Sequence, residues 1–392
     1  MTHNDSTSEI HRSTLELAKE LIARRSIHAD DAGCLDILAN RLAKSGFSYE
    51  RMDRGKPHNR VRNLWARRGS DQPIVCLAGH VDVPPPESIE RWTSDPFVPT
   101  ERDGCLFGRG ASDMKTAVAA MMTATERFVG RTPDHRGSIA IALTSDKEGA
   151  VNDGTLAIVQ QILWRGEQID ACILGDPTSL ARAGDSMKNG RRGLLHGTLA
   201  VKGVQGHVAY PELARNPIHQ ALPALQELVA AEWDCGNEYS PPTSFHISNI
   251  HAGTGTANIL PGRLEVQFSF RFGTQSSVDG LRTRVRDVLT RHGVNPDLSW
   301  ALVRAPYCTP RGRLTDVMTA AAAAAGVTPA FSTTGGTSDG AVFATIATEV
   351  VECGPVAIPP EAVDEYVRLA DIVPLSQIYE QAITALLAPQ SA

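Results

Sequence analysis

Three short runs of apolar residues constrain the fold more than any other feature of the sequence. They are residues 74–78 (IVCLA), 139–143 (IAIAL) and 171–174 (ACIL), and helical stretches separate them. Uninterrupted apolar strands that alternate with helices predict a sheet that is covered by helices on both faces. The first half of the chain therefore predicts an α/β domain, in which residues 13–25 form a helix with one apolar face.

The middle of the chain has a different pattern. Residues 263–272 (RLEVQFSFRF) alternate strictly between apolar and polar, which predicts a half-exposed antiparallel strand. Residues 196–204 and 243–250 also predict strands, and residues 219–232 predict a helix. We therefore expect a discontinuous α/β domain with a mixed central sheet, interrupted by a smaller α+β domain; the expected bounds are 1–193 with 306–392, and 194–305.

Residues that can bind a metal ion follow each of the three apolar runs. These residues are His80 and Asp82, then Asp146 and Glu148, then Asp176. Ligands of α/β sheets bind at the carboxyl ends of the strands. Asp113 lies in the glycine-containing segment GRGASDMK, where it is either a helix N-cap or a further ligand. Each residue alone has an ordinary structural interpretation, but together they predict a site for zinc-like ions that activate water.

Charge and composition exclude several classes of partner. The net charge of −6 gives no basic surface for nucleic acid, and no run of about 18 apolar residues could span a membrane. The N-terminal segment lacks the apolar stretch of a signal peptide. Seven scattered cysteines without a CxxC pair suit a reducing compartment better than a disulfide framework. We therefore expect a cytoplasmic protein without nucleic-acid or membrane partners.

Longer motifs resemble a known family. AGHVDV, FGRGASDMK, SDKEG and GDPT follow the order and spacing of the dinuclear zinc aminoacylase and carboxypeptidase family, peptidase family M20. KNGRRG, QGHVAY, GTGTANILPG and STTGGTSDG are similar to its succinyl-diaminopimelate desuccinylase branch, and the resemblance covers nearly the whole chain. It implies a zinc-peptidase-like catalytic domain, a lid domain through which two chains form a homodimer, and a small amino-acid derivative as substrate.

The resemblance also implies roles for individual residues. His80, Asp113, Glu148 and Asp176 would bind one or two zinc ions, with cobalt or manganese as alternatives, and Asp113 would bridge both ions. Asp82 would orient His80. His207 would stabilise an oxyanion, reaching into the site of the partner subunit. The positions that hold the carboxylates and amide of the substrate are Arg191, Asn258, Arg271, Thr337 and Ser338.

The sequence departs from this family at catalytic positions. Lys147 stands where the family has its general base, and it could accept a proton only if nearby cations lowered its pKa from about 10.4. No histidine follows His292, so the late histidine ligand is absent. Glu361 lies at or near that position, either as a ligand or as a solvated surface residue. The family's substrate-site arginine, serine and asparagine are replaced by Ala341, Leu194 and Ala257, which favours a smaller or less charged substrate.

Three functions remain open. The first is a metal-dependent amidohydrolase-like enzyme that acts on the amide bond of an N-acyl amino acid or a related derivative, with Lys147 or a metal-bound hydroxide replacing the usual base. The second is a repurposed enzyme of specialised metabolism that catalyses acyl transfer, condensation or elimination on the same scaffold. The third is a ligand-binding pseudoenzyme, against which the retained metal positions and His207 argue.

Overall fold

The chain folds into two compact units. The computed structural model describes residues 3–56, 59–149, 153–357 and 362–389, so the expected ligand Glu361 lies outside the described residues. The larger unit comprises Met1–Gly190, Thr309–Ser332 and Ser338–Ala392, and the smaller unit comprises Arg191–Cys308 and Thr333–Thr337.

The helices and strands are numbered in chain order. The helices are α1 (His3–Ile22), α2 (Cys34–Lys44), α3 (Thr116–Arg131), α4 (Thr155–Trp164), α5 (Pro217–Ala230), α6 (Val278–Arg291), α7 (Arg313–Ala324), α8 (Gly340–Phe343) and α9 (Leu369–Leu387). The strands are β1 (Ser48–Arg51), β2 (Arg54–Lys56), β3 (Asn59–Val61), β4 (Asn63–Arg68), β5 (Ile74–His80), β6 (Thr100–Arg102), β7 (Cys105–Phe107), β8 (Ser138–Thr144), β9 (Ile169–Leu174), β10 (Ser186–Lys188), β11 (Gly190–Arg191), β12 (Gly193–Lys202), β13 (Gly206–His207), β14 (Ser244–Ala252), β15 (Ile259–Leu260), β16 (Arg263–Phe272), β17 (Asp297–Arg304), β18 (Tyr307–Cys308), β19 (Ala330–Ser332), β20 (Ala347–Glu352) and β21 (Tyr366–Arg368).

The larger unit is built on a mixed sheet with the strand order β1-β4-β8-β5-β9-β20-β10-β19. Its centre is parallel, because β5 runs parallel to both β8 and β9, and β9 runs parallel to β20. The three apolar runs are β5, β8 and β9, and the side chains of β8 are buried throughout. A sheet that is covered on both faces requires this continuous apolar sequence. The predicted α/β fold with a mixed central sheet is confirmed.

Helices α1, α3 and α9 pack against one another beside this sheet. The face of α1 that Leu17, Leu21 and Ile22 present is fully buried, with side chains 0–1% exposed. Because α3 is rich in alanine and methionine, it fits closely between its neighbours. Helices α3 and α9 also contact β5, whose carboxyl end carries the candidate ligand His80.

The smaller unit is an antiparallel sheet with the order β14-β16-β12-β17, covered by α5 and α6. The alternation predicted for residues 263–272 is confirmed: Leu264, Val266, Phe268, Phe270 and Phe272 are buried on one face of β16. Their apolar side chains pack against α5 and α6, and the polar residues between them face the other side. The smaller unit is therefore the expected α+β fold.

Among the helices in the described ranges, none is both long enough and apolar enough to cross a membrane.

Candidate metal centre

His80, Asp113 and Asp176 come together where three segments of the larger unit meet. The Nε2 atom of His80 lies 3.0 Å from Oδ1 of Asp113 and 4.0 Å from Oδ1 of Asp176. One possible ligand atom from each residue lies within 4.8 Å of the others. One imidazole nitrogen and two carboxylates form a donor set that zinc accepts. In the described part of the chain, no second group of three such residues is found.

The ring of His80 is oriented for ligation by its Nε2 atom. Its Nδ1 atom lies 3.0 Å from the backbone oxygen of Asp82 and 3.6 Å from the Oδ1 atom of Asp82. A hydrogen bond from Nδ1–H leaves Nε2 with its lone pair directed at the carboxylates. Asp82 thus orients His80 chiefly through its main chain. Burial lowers the pKa of His80, but hydrogen bonds to Asp113 and Asp82 outweigh burial and raise this pKa well above its usual value.

The carboxylate of Asp82 holds the segment after β8. It accepts hydrogen bonds from the backbone N–H of Lys147 at 3.0 Å and of Glu148 at 2.9 Å. Burial opposes the charge of Asp82, but hydrogen bonds to His28 and His80 lower the pKa of Asp82 far below its usual value. Asp82 is therefore an anion that connects the loop after β5 to the loop after β8.

The side chain of Lys147 points toward the carboxylates of the candidate metal centre. Its Nζ atom lies 3.5 Å from Oδ1 of Asp176, and its side chain is 17% exposed. Burial favours the neutral amine, but the charges of Asp176 and Asp113 outweigh burial and raise the pKa of Lys147 well above its usual value. These carboxylates act against the predicted base role of Lys147, which stays a prediction. Burial also raises the pKa of the half-buried Glu148, whose ligand role stays a prediction too.

Glu365 positions the loop that carries Asp113, and the sequence analysis missed it. Its buried carboxylate accepts from the backbone N–H groups of Gly110, Ser112 and Asp113 at 2.9, 2.8 and 3.1 Å. It also lies 3.1 Å from Nη1 of Arg109. A side chain at Gly110, where φ is +85°, would place Cβ 2.8 Å from Val83, so the loop needs glycine there. The only sign of Glu365 in the sequence was the acidic pair of the segment VDEY.

His28 is a second residue that the sequence analysis missed. Its Nδ1 atom lies 3.5 Å from both Oδ2 of Asp82 and Oδ1 of Asp146. Its hydrogen bond to Asp82 raises the pKa of His28, and burial only partly offsets this effect. Gly149 leaves room for the ring, because a Cβ atom there would lie 2.0 Å from Nε2 of His28. No motif in the sequence marks this residue.

Five of the predicted substrate-site and oxyanion residues lie in the smaller unit, and four of them form two pairs. His207 and Asn258 are exposed, and Nε2 of His207 lies 3.1 Å from the side-chain nitrogen of Asn258. Arg191 and Arg271 converge on the loop 334–336, where Nη1 of Arg191 donates to the backbone oxygens of residues 334 and 336 at 3.4 Å and Arg271 donates to the oxygen of Gly335. The arrangement concentrates positive charge beside exposed backbone, as a carboxylate site would.

The two remaining predicted residues, Thr337 and Ser338, differ in exposure. Thr337 is half-buried. Ser338 is 3% exposed, and its hydroxyl donates to the carboxylate of Glu352 and accepts from the backbone N–H of Gly340. The hydroxyl of Ser338 is therefore used inside the larger unit, and its contact with substrate stays a prediction.

The chain is similar to known proteins in both sequence and fold. Residues 76–385 match the family described as peptidase family M20/M25/M40. The chain is 54% identical over 375 residues to a succinyl-diaminopimelate desuccinylase of Thiobacillus denitrificans, covering 95% of each sequence. It is 53% identical over 390 residues to a succinyl-diaminopimelate desuccinylase of Aromatoleum aromaticum, covering 99% of each.

Solved structures of much lower identity share the fold. The aminopeptidase PepT from Bacillus cereus is similar with a TM-score of 0.75 at 16% identity, over 96% of this chain and 98% of that one. Human carnosine dipeptidase 1 is similar with a TM-score of 0.69 at 17% identity, over 97% of each chain.

Proposed function

The chain belongs to peptidase family M20/M25/M40 and is a metal-dependent amidohydrolase of that family, and on this premise we propose that it acts on the amide bond of an N-acyl amino acid or a related amino-acid derivative. The observation that carries the proposal is the buried group of His80, Asp113 and Asp176. A catalytic zinc site uses three protein ligands and leaves a position open, which this donor set allows. Zinc is the ion we propose, with cobalt or manganese as substitutes.

The residues around this group supply positioning and charge. A bound zinc-like ion would polarise the substrate carbonyl and lower the pKa of water. Asp82 holds His80 in the ligating orientation and anchors the loop of Lys147. Lys147, as an ammonium, donates hydrogen bonds and cannot accept a proton, so it suits a developing negative charge rather than a base role. We propose that His207 stabilises the oxyanion in the same way.

The residues of the smaller unit support the proposal that the substrate is an amino-acid derivative with few negative charges. We propose that Arg191 and Arg271 bind one carboxylate and that Asn258 and Thr337 bind the amide. Leu194 lies directly opposite Arg271 in the pairing of β12 with β16. Ala257 precedes Asn258, and Ala341 lies in α8. The side chains at these positions offer no second carboxylate partner, which disfavours a dianionic succinyl-diaminopimelate.

We further propose that two chains form a homodimer through the smaller unit. Its edge strand β14 carries the exposed Ile250, and the outer face of α5 carries the exposed Leu222 and Val229. Exposed apolar residues beside an open strand edge favour pairing with a second copy. We also propose a cytoplasmic location, which the seven scattered cysteines without a CxxC pair support.

The test is release of free amine from a panel of N-acyl amino acids by protein loaded with Zn²⁺ or Co²⁺. We expect N-formyl and N-acetyl amino acids to be cleaved faster than N-succinyl-diaminopimelate, as measured by mass spectrometry of the products. Asp113→Asn is the matched control, since it removes one ligand charge without changing the shape of the side chain. Metal-loaded protein that releases no amine from any of these compounds would contradict the hydrolytic proposal.

A non-hydrolytic reaction is the second candidate, and Lys147 is the observation that favours it. A cation at the position of the base suppresses activation of water, while carbonyl-polarising groups remain. Addition of a second amino acid as an acyl acceptor distinguishes the two reactions. Product that forms only with the acceptor identifies acyl transfer or condensation, whereas binding without any product identifies a pseudoenzyme.

A further inference from the structure

Met114 lies beside the candidate metal centre and contacts the segments that carry its ligands. It directly follows Asp113 in the chain, and it is 1% exposed. Its side chain reaches the last residues of β5 and the first residue after β9, next to His80 and Asp176. One buried side chain is therefore in contact with the backbone beside each of the three ligands.

The sulfur atom of Met114 holds the main chain of His80. The pairing of β5 with β9 ends at Ala78, two residues before His80. Beyond this point the sulfur accepts the backbone N–H of His80 at 3.4 Å. Sulfur is a weak acceptor, but a buried N–H group that loses its partner is costly. The contact therefore fixes the backbone from which the imidazole ring extends toward the carboxylates.

The terminal methyl group of Met114 packs against two glycines at the strand ends. A Cβ atom at Gly79 would lie 2.5 Å from Cε of Met114, and a Cβ atom at Gly175 would lie 2.6 Å from it. A side chain at either position would therefore displace this methyl group. Gly79 precedes His80 and Gly175 precedes Asp176, so the methyl group lies between the backbones that carry two of the ligands.

The segment that carries the third ligand is irregular, so its position depends on such contacts. Asp113 and Met114 have non-helical backbone angles, and α3 begins only at Thr116. Glu365 anchors the segment through its backbone N–H groups, and Met114 connects it to the ends of β5 and β9. Ligands of a functional site must be held within about 0.5 Å of the productive geometry.

We propose that Met114 is a positioning residue of the metal centre, which sets the spacing of His80, Asp113 and Asp176 through its sulfur atom and its methyl group. The inference rests on the metal centre of the proposed function. Met114 acts through the backbone of the ligands and touches neither the ion nor the substrate. Loss of a group that orients metal ligands typically weakens metal binding by about 10- to 100-fold.

The experiment is a titration of the full chain with Co²⁺ after bound ions have been removed with a chelator. The Kd is measured by competition with a chromophoric chelator, and the visible absorption of bound Co²⁺ reports the arrangement of its ligands. For Met114→Ala we expect the Kd to rise about 10- to 100-fold and the visible bands to change. Met318→Ala is the matched control, because Met318 is 0% exposed in α7 of the same core. It should lower the stability and leave the Kd and the spectrum unchanged.

Gly79→Ala tests the methyl contact independently. Its Cβ atom would lie 2.5 Å from the methyl group of Met114 but 3.4 Å from Val118, so the methyl group is what it displaces. We expect Gly79→Ala to raise the Kd in the wild-type background and to leave the Kd unchanged in the Met114→Ala background.

Three results would overturn the inference: an unchanged Kd in Met114→Ala, an equal rise in Met318→Ala, or the same effect of Gly79→Ala in both backgrounds. Circular dichroism verifies that each variant is folded. If Met114→Ala does not fold, Met114→Leu and Met318→Leu are compared instead, since leucine keeps most of the volume but lacks the sulfur atom. Wild-type protein that binds no Co²⁺ would overturn this inference together with the proposed function, whereas amide hydrolysis can be absent while the inference holds.

Discussion

Replacing Glu365 with glutamine should destabilise the protein by about 3–5 kcal/mol, the usual cost of breaking a buried ion pair from one side. Glu365 is 2% exposed, and Arg109, its partner at 3.1 Å, is 3% exposed. The substitution leaves the guanidinium buried without its counter-charge. Glutamine also replaces one of the two acceptor oxygens with an NH2 group, so this donor faces either the backbone N–H of Gly110 or those of Ser112 and Asp113, which need an acceptor.

The assay is unfolding in urea, followed by tryptophan fluorescence, for the wild-type protein and Glu365→Gln. Glu50→Gln is the matched control, because Glu50 pairs with Arg165 on the surface, with side chains 39% and 28% exposed. That pair should contribute less than about 1 kcal/mol. A loss for Glu365→Gln no larger than the loss for Glu50→Gln would refute the reasoning that Glu365 anchors the Asp113 loop.

Two further predictions concern His28 and Lys115. Gly149→Ala should lower the free energy of unfolding by about 1–3 kcal/mol, because the added Cβ overlaps the ring of His28. This loss should vanish in a His28→Ser background. Equal losses in both backgrounds, measured by urea unfolding, would contradict the packing. Burial lowers the pKa of Lys115 to about 8, whereas a lysine in the unfolded chain has a pKa of about 10.4. Below pH 8 the folded state must therefore hold a buried charge, which lowers its stability. This stability returns as the pH rises from about 8 to about 10.4. Relative to Lys115→Met, the unfolding free energy of the wild-type protein should therefore rise by at most about 3 kcal/mol across this range, and a difference that stays flat or falls would contradict the assignment.

The fold was predictable from the sequence where a local pattern reports burial directly. The strict alternation in residues 263–272 specifies which face of β16 is buried, and the continuous apolar runs specify β5, β8 and β9. The first helix was predicted less well. It begins at His3 rather than near residue 13, because Ile10 is buried at 4% exposure and continues the apolar face into a polar segment.

The candidate site was predictable only where a residue follows its own strand. His80 and Asp176 lie at or just beyond strand ends, so the strand pattern locates them. Glu365 lies 252 residues from Asp113 in sequence, and His28 lies 54 residues from Asp82, so no local pattern connects either pair. Such contacts are created by the packing of distant segments, and a single sequence does not report them.

The candidate site residues lie in loops after the central strands, so a substitution can change the chemistry of the site with little effect on the stability of the sheet. Thr144 is the last residue of β8 and Lys147 comes three positions later, beyond the hydrogen-bonded pairing with β4 and β5. A substitution there changes charge and proton transfer while the apolar layers beneath it keep every contact. A chain that is 54% identical to a succinyl-diaminopimelate desuccinylase over 375 residues can therefore differ from it in these loops without a change in the sheet. The same loops are therefore the positions at which directed evolution could change the reaction with least risk to folding.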